Sequence, residues 1–136
     1  MNPPSFVTAS LYVAAGGGAG AWLRFAFSRL VTAAIGPVAA DAFPWATLAI
    51  NLLGSFAMGL LASWLARHGA AGETWRLLIG VGVLGGFTTF SAFSLEIVML
   101  AQRGAVGLAG LYAGLSLLGG VAGLYAGLAF MRGSAA

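Results

Sequence analysis

Polar side chains are scarce in this chain, and they gather where an apolar run would otherwise continue. The stretch Gly85-Gly86-Phe87-Thr88-Thr89-Phe90-Ser91-Ala92-Phe93 places two glycines, three hydroxyls and three phenylalanines inside an apolar segment from about Trp75 to Leu100. Thr47, Asn51 and Ser55 recur at i, i+4 and i+8, one polar stripe on a helix. Glu96 follows Phe93 by three residues and shares its helix face, and Tyr112 and Ser116 repeat the i, i+4 spacing further on. Glu96 apart, these groups are mainly hydrogen-bond donors, with no arginine or lysine cluster among them. Donors without fixed charge suit a small anion that must also leave. The edges of Phe90 and Phe93 carry the positive end of the ring quadrupole and could solvate an anion edge-on. Two phenylalanines three residues apart are also ordinary core, so the anion chemistry rests on the whole set.

Other chemistries fail on inventory. There is no metal-ligand cluster, no Gly-x-Ser-x-Gly elbow and no histidine near Ser55, Ser91 or Ser116, so catalysis has no machinery. His68 lies in a short polar loop from His68 to Glu73 and reads as a solvated surface residue without chemistry. With no cysteine, neither disulfides nor a thiolate metal site can form. The net charge of +3 comes from six arginines scattered singly, which make no patch that could track a phosphate backbone. A multidrug exporter of this size would need a carboxylate in its first span, and none is there. A membrane packing subunit that transports nothing remains a third reading.

The elements that must position these groups are membrane helices. The chain has 136 residues, 60% of them hydrophobic and only 7% charged, and a mean hydropathy of +0.98. Four apolar segments, Phe6 to Ile35, Phe43 to Ala66, Trp75 to Leu100 and Ala105 to Met131, can each cross a hydrocarbon core of about 30 Å. The expected fold is therefore all-α and integral to the membrane, a single domain over residues 1–136 with no soluble domain. The first segment lacks a basic stretch before it and reads as a retained helix rather than a cleaved signal. Trp45 and Trp64 bracket the second span about 28 Å apart, as two interfacial anchors would. The third span cannot be lipid-facing helix throughout. Irregular backbone at membrane depth survives only when buried in protein or lining a polar cavity, and the composition predicts a break over Gly85–Thr89. A Gly-kinked, packed helix is the alternative.

Several residues admit two readings. The run Gly16-Gly17-Gly18-Ala19-Gly20-Ala21 ahead of Trp22-Leu23-Arg24 is a close-packing surface before it is a ligand site. Arg24 must snorkel, pair, or place a positive charge at the mouth of an aqueous vestibule. Asn51 is either an interhelical hydrogen-bonding residue or a pore-lining donor. Glu96 is either a functional carboxylate at depth or a surface partner of Arg103. In the fourth span Tyr112, Ser116, Gly119 and Gly123 share one face, combining a hydroxyl track with close approach.

Short-loop arginines set membrane orientation. Arg67, Arg76 and Arg132 fall on one side of a four-span chain and Arg24, Arg29 and Arg103 on the other, three against three. A chain so balanced is expected to insert both ways up and to pair as an antiparallel homodimer.

Three motifs in order carry a family resemblance: Gly17-Gly18-Ala19-Gly20-Ala21-Trp22-Leu23-Arg24, Asn51-Leu52-Leu53-Gly54-Ser55-Phe56 and Gly85-Gly86-Phe87-Thr88-Thr89-Phe90-Ser91. The chain resembles the Fluc (CrcB-type) fluoride channels, with matches in all four spans. The resemblance implies a dual-topology antiparallel dimer in the bacterial inner membrane, with two pores that export fluoride, reject chloride and relieve fluoride toxicity. No nucleic acid and no soluble partner enter this picture. It implies pore roles for Phe90, Phe93 and Asn51, and a polar track of Thr47, Ser91, Glu96, Tyr112 and Ser116, with Arg24 at a vestibule. It also implies one structural sodium ion held by the Gly85 and Thr88 carbonyls, in keeping with unwound carbonyls at half-helix ends coordinating Na⁺. Two departures, Ala92 where the family usually has a hydroxyl and Gly120 where it often has serine, thin the expected track. A fluoride/proton exchanger would share the substrate, with Glu96 as its carboxylate.

Overall fold

The structure, a computed structural model, describes residues 4–133, without the side chains of Ala70, Arg132 and Gly133. Arg132, one of the six arginines in the orientation count, therefore has its side chain outside the described residues. The first helix, α1 (Phe6–Ile35), starts at Ser5, whose hydroxyl accepts from the Thr8 amide at 3.3 Å. A six-residue helix, α2 (Pro37–Ala42), follows, opened by proline at its first position, where no helical amide is required. Helix α3 (Trp45–His68) is the second span, and a 3₁₀ turn at Gly69–Gly72 leads to the third. That span runs as α4 (Glu73–Trp75), a π-helical stretch Arg76–Leu84 and α5 (Gly85–Phe87), then loses helical form over residues 88–90. It resumes as α6 (Ser91–Gln102), and α7 (Val106–Gly133) closes the chain.

Among the described residues four helical segments are long and apolar enough to cross a membrane, ending within two residues of the bounds expected from hydropathy. The third span is interrupted as its composition predicts, but later than Gly85. Gly85–Phe87 keep helical geometry, and the chain departs at Thr88, where ψ reaches 160°. The cause is a tertiary contact: the Thr88 amide still bonds the Leu84 carbonyl at 3.0 Å, whereas the Thr89 amide is captured by Asn51.

Pairs of glycines set the packing. Gly16 and Gly20 of α1 are buried, and a Cβ on either would run into the Leu78 or Val83 carbonyl of the π-helical stretch. The glycine run of the first span is thus a packing surface at these two positions. Gly59 on α3 and Gly127 on α7 meet in the same way, each facing a carbonyl of the opposite helix. Such approach lets dispersion and polar contacts act between helices where the hydrophobic effect cannot. Helix α7 also packs on α6, and there the buried cluster of Phe43, Leu48, Phe93, Leu100, Ala109 and Tyr112 forms. The turn from α6 into α7 passes through Gly104 at φ 78°, a left-handed conformation that suits glycine.

Candidate functional site

The polar stripe of α3 faces the break and helices α6 and α7. Asn51 grips Thr89 from both sides, its Nδ2 donating to the Thr89 carbonyl at 3.0 Å and its Oδ1 accepting from the Thr89 amide at 2.9 Å. The side-chain amide thereby stands in for the helical partners Thr89 has lost. Four residues earlier, the Thr47 hydroxyl donates to Glu96 Oε1 at 2.7 Å, and Tyr112 donates to Glu96 Oε2 at the same distance. Ser55, at the far end of the stripe, has its Oγ at 3.4 Å from where a Cβ on Gly120 would stand.

Each diverted amide frees a carbonyl. In a continuous helix the Thr89 amide would bond the Gly85 carbonyl, but it goes to Asn51. The Ala92 amide would likewise bond the Thr88 carbonyl, but it goes to the Thr89 hydroxyl at 3.3 Å. The Thr88 carbonyl instead accepts from Arg24 Nη1 at 3.4 Å, while the Thr88 hydroxyl bonds back to the Leu84 carbonyl at 2.9 Å. Two backbone oxygens without their helical amides are the hard donors that a small monovalent cation requires, so the residues present fit the expected sodium ion.

Two open grooves meet this region. One, of about 410 Å³, is lined by Asn51, Ser55, Thr88, Thr89, Phe90, Phe93 and Ser116 among others, together with Gly85. The second, of about 420 Å³, reaches Thr47 and Glu96 and has Asp41 and Arg103 among its lining residues. Tyr112, fully buried, joins them: its ring packs on Phe93 at 5.2 Å while its hydroxyl reaches Glu96. Phe90 and Phe93 lie 5.6 Å apart, with Phe90 75% exposed. The Ser116 Oγ is buried and makes no hydrogen bond of ordinary geometry, the Tyr112 hydroxyl being its polar neighbour.

The structure thus collects Asn51, Phe90, Phe93 and Ser116 in one groove and ties Thr47, Glu96 and Tyr112 into one hydrogen-bonded trio. Ser91 is apart from both, its hydroxyl 3.4 Å from Thr89 Oγ1. Arg24 lines neither groove. The alternative pairing of Glu96 with Arg103 is overturned, because Arg103 Nη2 pairs with Asp41 at 3.2 Å and Glu96 takes the two hydroxyls. His68 is exposed, stacked on Trp64 at 4.0 Å. Sequence reasoning missed Phe43, which is buried and meets the Tyr112 ring edge-on at 5.5 Å, and it missed the Asp41–Arg103 pair. Both lie in or beside α2, which the hydropathy of the flanking spans obscures.

Four apolar spans, one of them interrupted where polar groups converge, define a small multi-pass membrane protein with a polar site at depth. The chain belongs to the CrcB-like family: the family model described as "CrcB-like protein, Camphor Resistance (CrcB)" matches residues 11–128. It is 61% identical over 129 residues to the fluoride-specific ion channel FluC of Novosphingobium aromaticivorans, covering 95% of this chain and 100% of that one. It is 52% identical over 116 residues to the FluC of Erythrobacter litoralis (85% and 84% covered). The FluC of Sphingopyxis alaskensis is 50% identical over 107 residues, with 79% and 82% covered. These relatives are named as channels, not enzymes.

Proposed function

We propose that this chain forms a fluoride-selective channel that lets fluoride leave a bacterial cytoplasm across the inner membrane and so relieves fluoride toxicity. The observation that carries the reading is the groove that brings the buried Ser116 hydroxyl together with Phe90, Phe93 and Asn51. A small anion at that hydroxyl would be a stronger acceptor than the neutral Tyr112 oxygen, and the phenylalanine edges would add attraction without the trap of a full positive charge. The names of the relatives point to the same ion.

On this reading, fluoride passes between the grooves beside Phe90 and Phe93 along Ser116, Tyr112, Glu96 and Thr47, with Ser91 and the donor of Asn51 at its side. Thr47 and Tyr112 both give their protons to Glu96, so they serve fluoride only by turning away from the carboxylate. The groove supports a homodimer. Asn51, Thr88 and Thr89 line an open surface at membrane depth, which lipid cannot satisfy and a second copy can. The three-against-three arginine balance favours an antiparallel, dual-topology pair with one pore on each face. Gly85 and Thr88 would hold the structural sodium ion at the centre, where its charge neutralises exposed carbonyl dipoles. Expression in a bacterium lacking its own fluoride exporter tests the proposal: growth in millimolar fluoride should be restored by the wild type and not by Phe90→Ile. Unaltered fluoride sensitivity with wild-type protein present in the membrane would count against it.

A further inference from the structure

Among the described residues Arg24 is a cation without a carboxylate. The chain has three acidic residues, and each is engaged elsewhere: Asp41 with Arg103, Glu73 with Arg76 and Glu96 with Thr47 and Tyr112. The guanidinium instead reaches the Thr88 carbonyl at 3.4 Å, in a part-buried position. That oxygen is available because the Ala92 amide has been diverted to Thr89 Oγ1 and because ψ of 160° at Thr88 turns the carbonyl off the helix line. It is also one of the two carbonyls that the proposed function gives to sodium, and the inference rests on that reading.

A carbonyl has two lone pairs, so shape alone would let both cations share it. Charge opposes this, because two positive groups on one part-buried oxygen repel and, among the described residues, nothing acidic lies between them. We infer that Arg24 is the competitor of the metal ion at the break. Its guanidinium holds the Thr88 carbonyl in the metal-free protomer and withdraws toward water when a monovalent cation binds, so Arg24 weakens cation binding and keeps the unassembled break satisfied. Arg24 is thus a positioning residue of the break as well as a charge near the vestibule.

The test is thermal unfolding of the purified full-length protein in detergent, with sodium titrated against N-methyl-glucamine at constant ionic strength. A ligand that binds only folded protein raises Tm with its concentration. The wild type should be stabilised by sodium. Arg24→Gln, which keeps a hydrogen-bond donor and removes the charge, should reach half-maximal stabilisation at roughly tenfold lower sodium, and Arg24→Lys should stay near wild type. Arg24→Met, neutral and of similar reach, is the second variant should the glutamine fail to fold, with the same leftward shift expected. An unchanged or rightward sodium midpoint in the neutral variants, with a uniform drop in Tm, would assign Arg24 a merely structural role and overturn the competition. Melting insensitive to sodium in every variant would overturn the sodium reading itself, and the competition with it.

Discussion

Asn51 separates two accounts of the pore, and replacing it with alanine tells them apart. Its amide makes two hydrogen bonds to the backbone of Thr89, at 3.0 and 2.9 Å. Asn51→Ala deletes both and leaves an amide and a carbonyl unpaired beside the break. Leaving a buried donor or acceptor unsatisfied costs about 1–3 kcal/mol each, while side-chain hydrogen bonds within membrane bundles average about 0.6 kcal/mol. Because Asn51 and Thr89 line an open groove that water can enter, the lower half of the range applies, about 2–4 kcal/mol in all. The assay is equilibrium unfolding in mixed detergent micelles, paired with fluoride flux from vesicles. The expected result is joint loss of stability and flux. Asn51→Asp should fare no better, since it keeps the acceptor for the amide but sets an oxygen against the Thr89 carbonyl. A variant within about 0.5 kcal/mol of wild type that had nonetheless lost its flux would refute the clamp and leave Asn51 as a donor to the ion alone.

Three further outcomes follow from the same geometry. Gly59→Val drives a branched side chain into the Leu124 carbonyl and should destabilise by about 1–3 kcal/mol or more, seen as a lower Tm and poor recovery of folded protein. Tyr112→Phe keeps the ring contacts with Phe93 and Phe43 and removes only the hydroxyl on Glu96. It should fold and slow fluoride flux by about tenfold, the equivalent of one hydrogen bond of about 1.4 kcal/mol. Phe90→Ile should leave the fold of the chain intact, because the ring is 75% exposed, yet slow fluoride in vesicles; unchanged flux would remove Phe90 from the ion's path.

Much of this arrangement is legible in the sequence because hydrocarbon is an exacting solvent. Four runs of apolar residues had to be spans, and the stripe Thr47, Asn51, Ser55 had to face protein, which it does. The π-helical form of Arg76–Leu84 is not legible, since an apolar run shows the same pattern whether its amides reach back four residues or five. The break was expected from Gly85 on the weak helix propensity of glycine. Its true start at Thr88 depends on Asn51, which is distant in sequence and captures one amide rather than its neighbour. The partner of Arg103 was missed for a similar reason: Asp41 belongs to α2, a six-residue helix whose only sequence signal is Pro37 after Gly36.

The most direct test is fluoride release from liposomes holding the purified protein, read with a fluoride electrode while valinomycin clamps the voltage and chloride-loaded vesicles serve as control. Fast, voltage-driven loss of fluoride with chloride retained is the predicted result. Folded protein that releases no fluoride, or releases chloride equally well, would contradict a fluoride-selective channel.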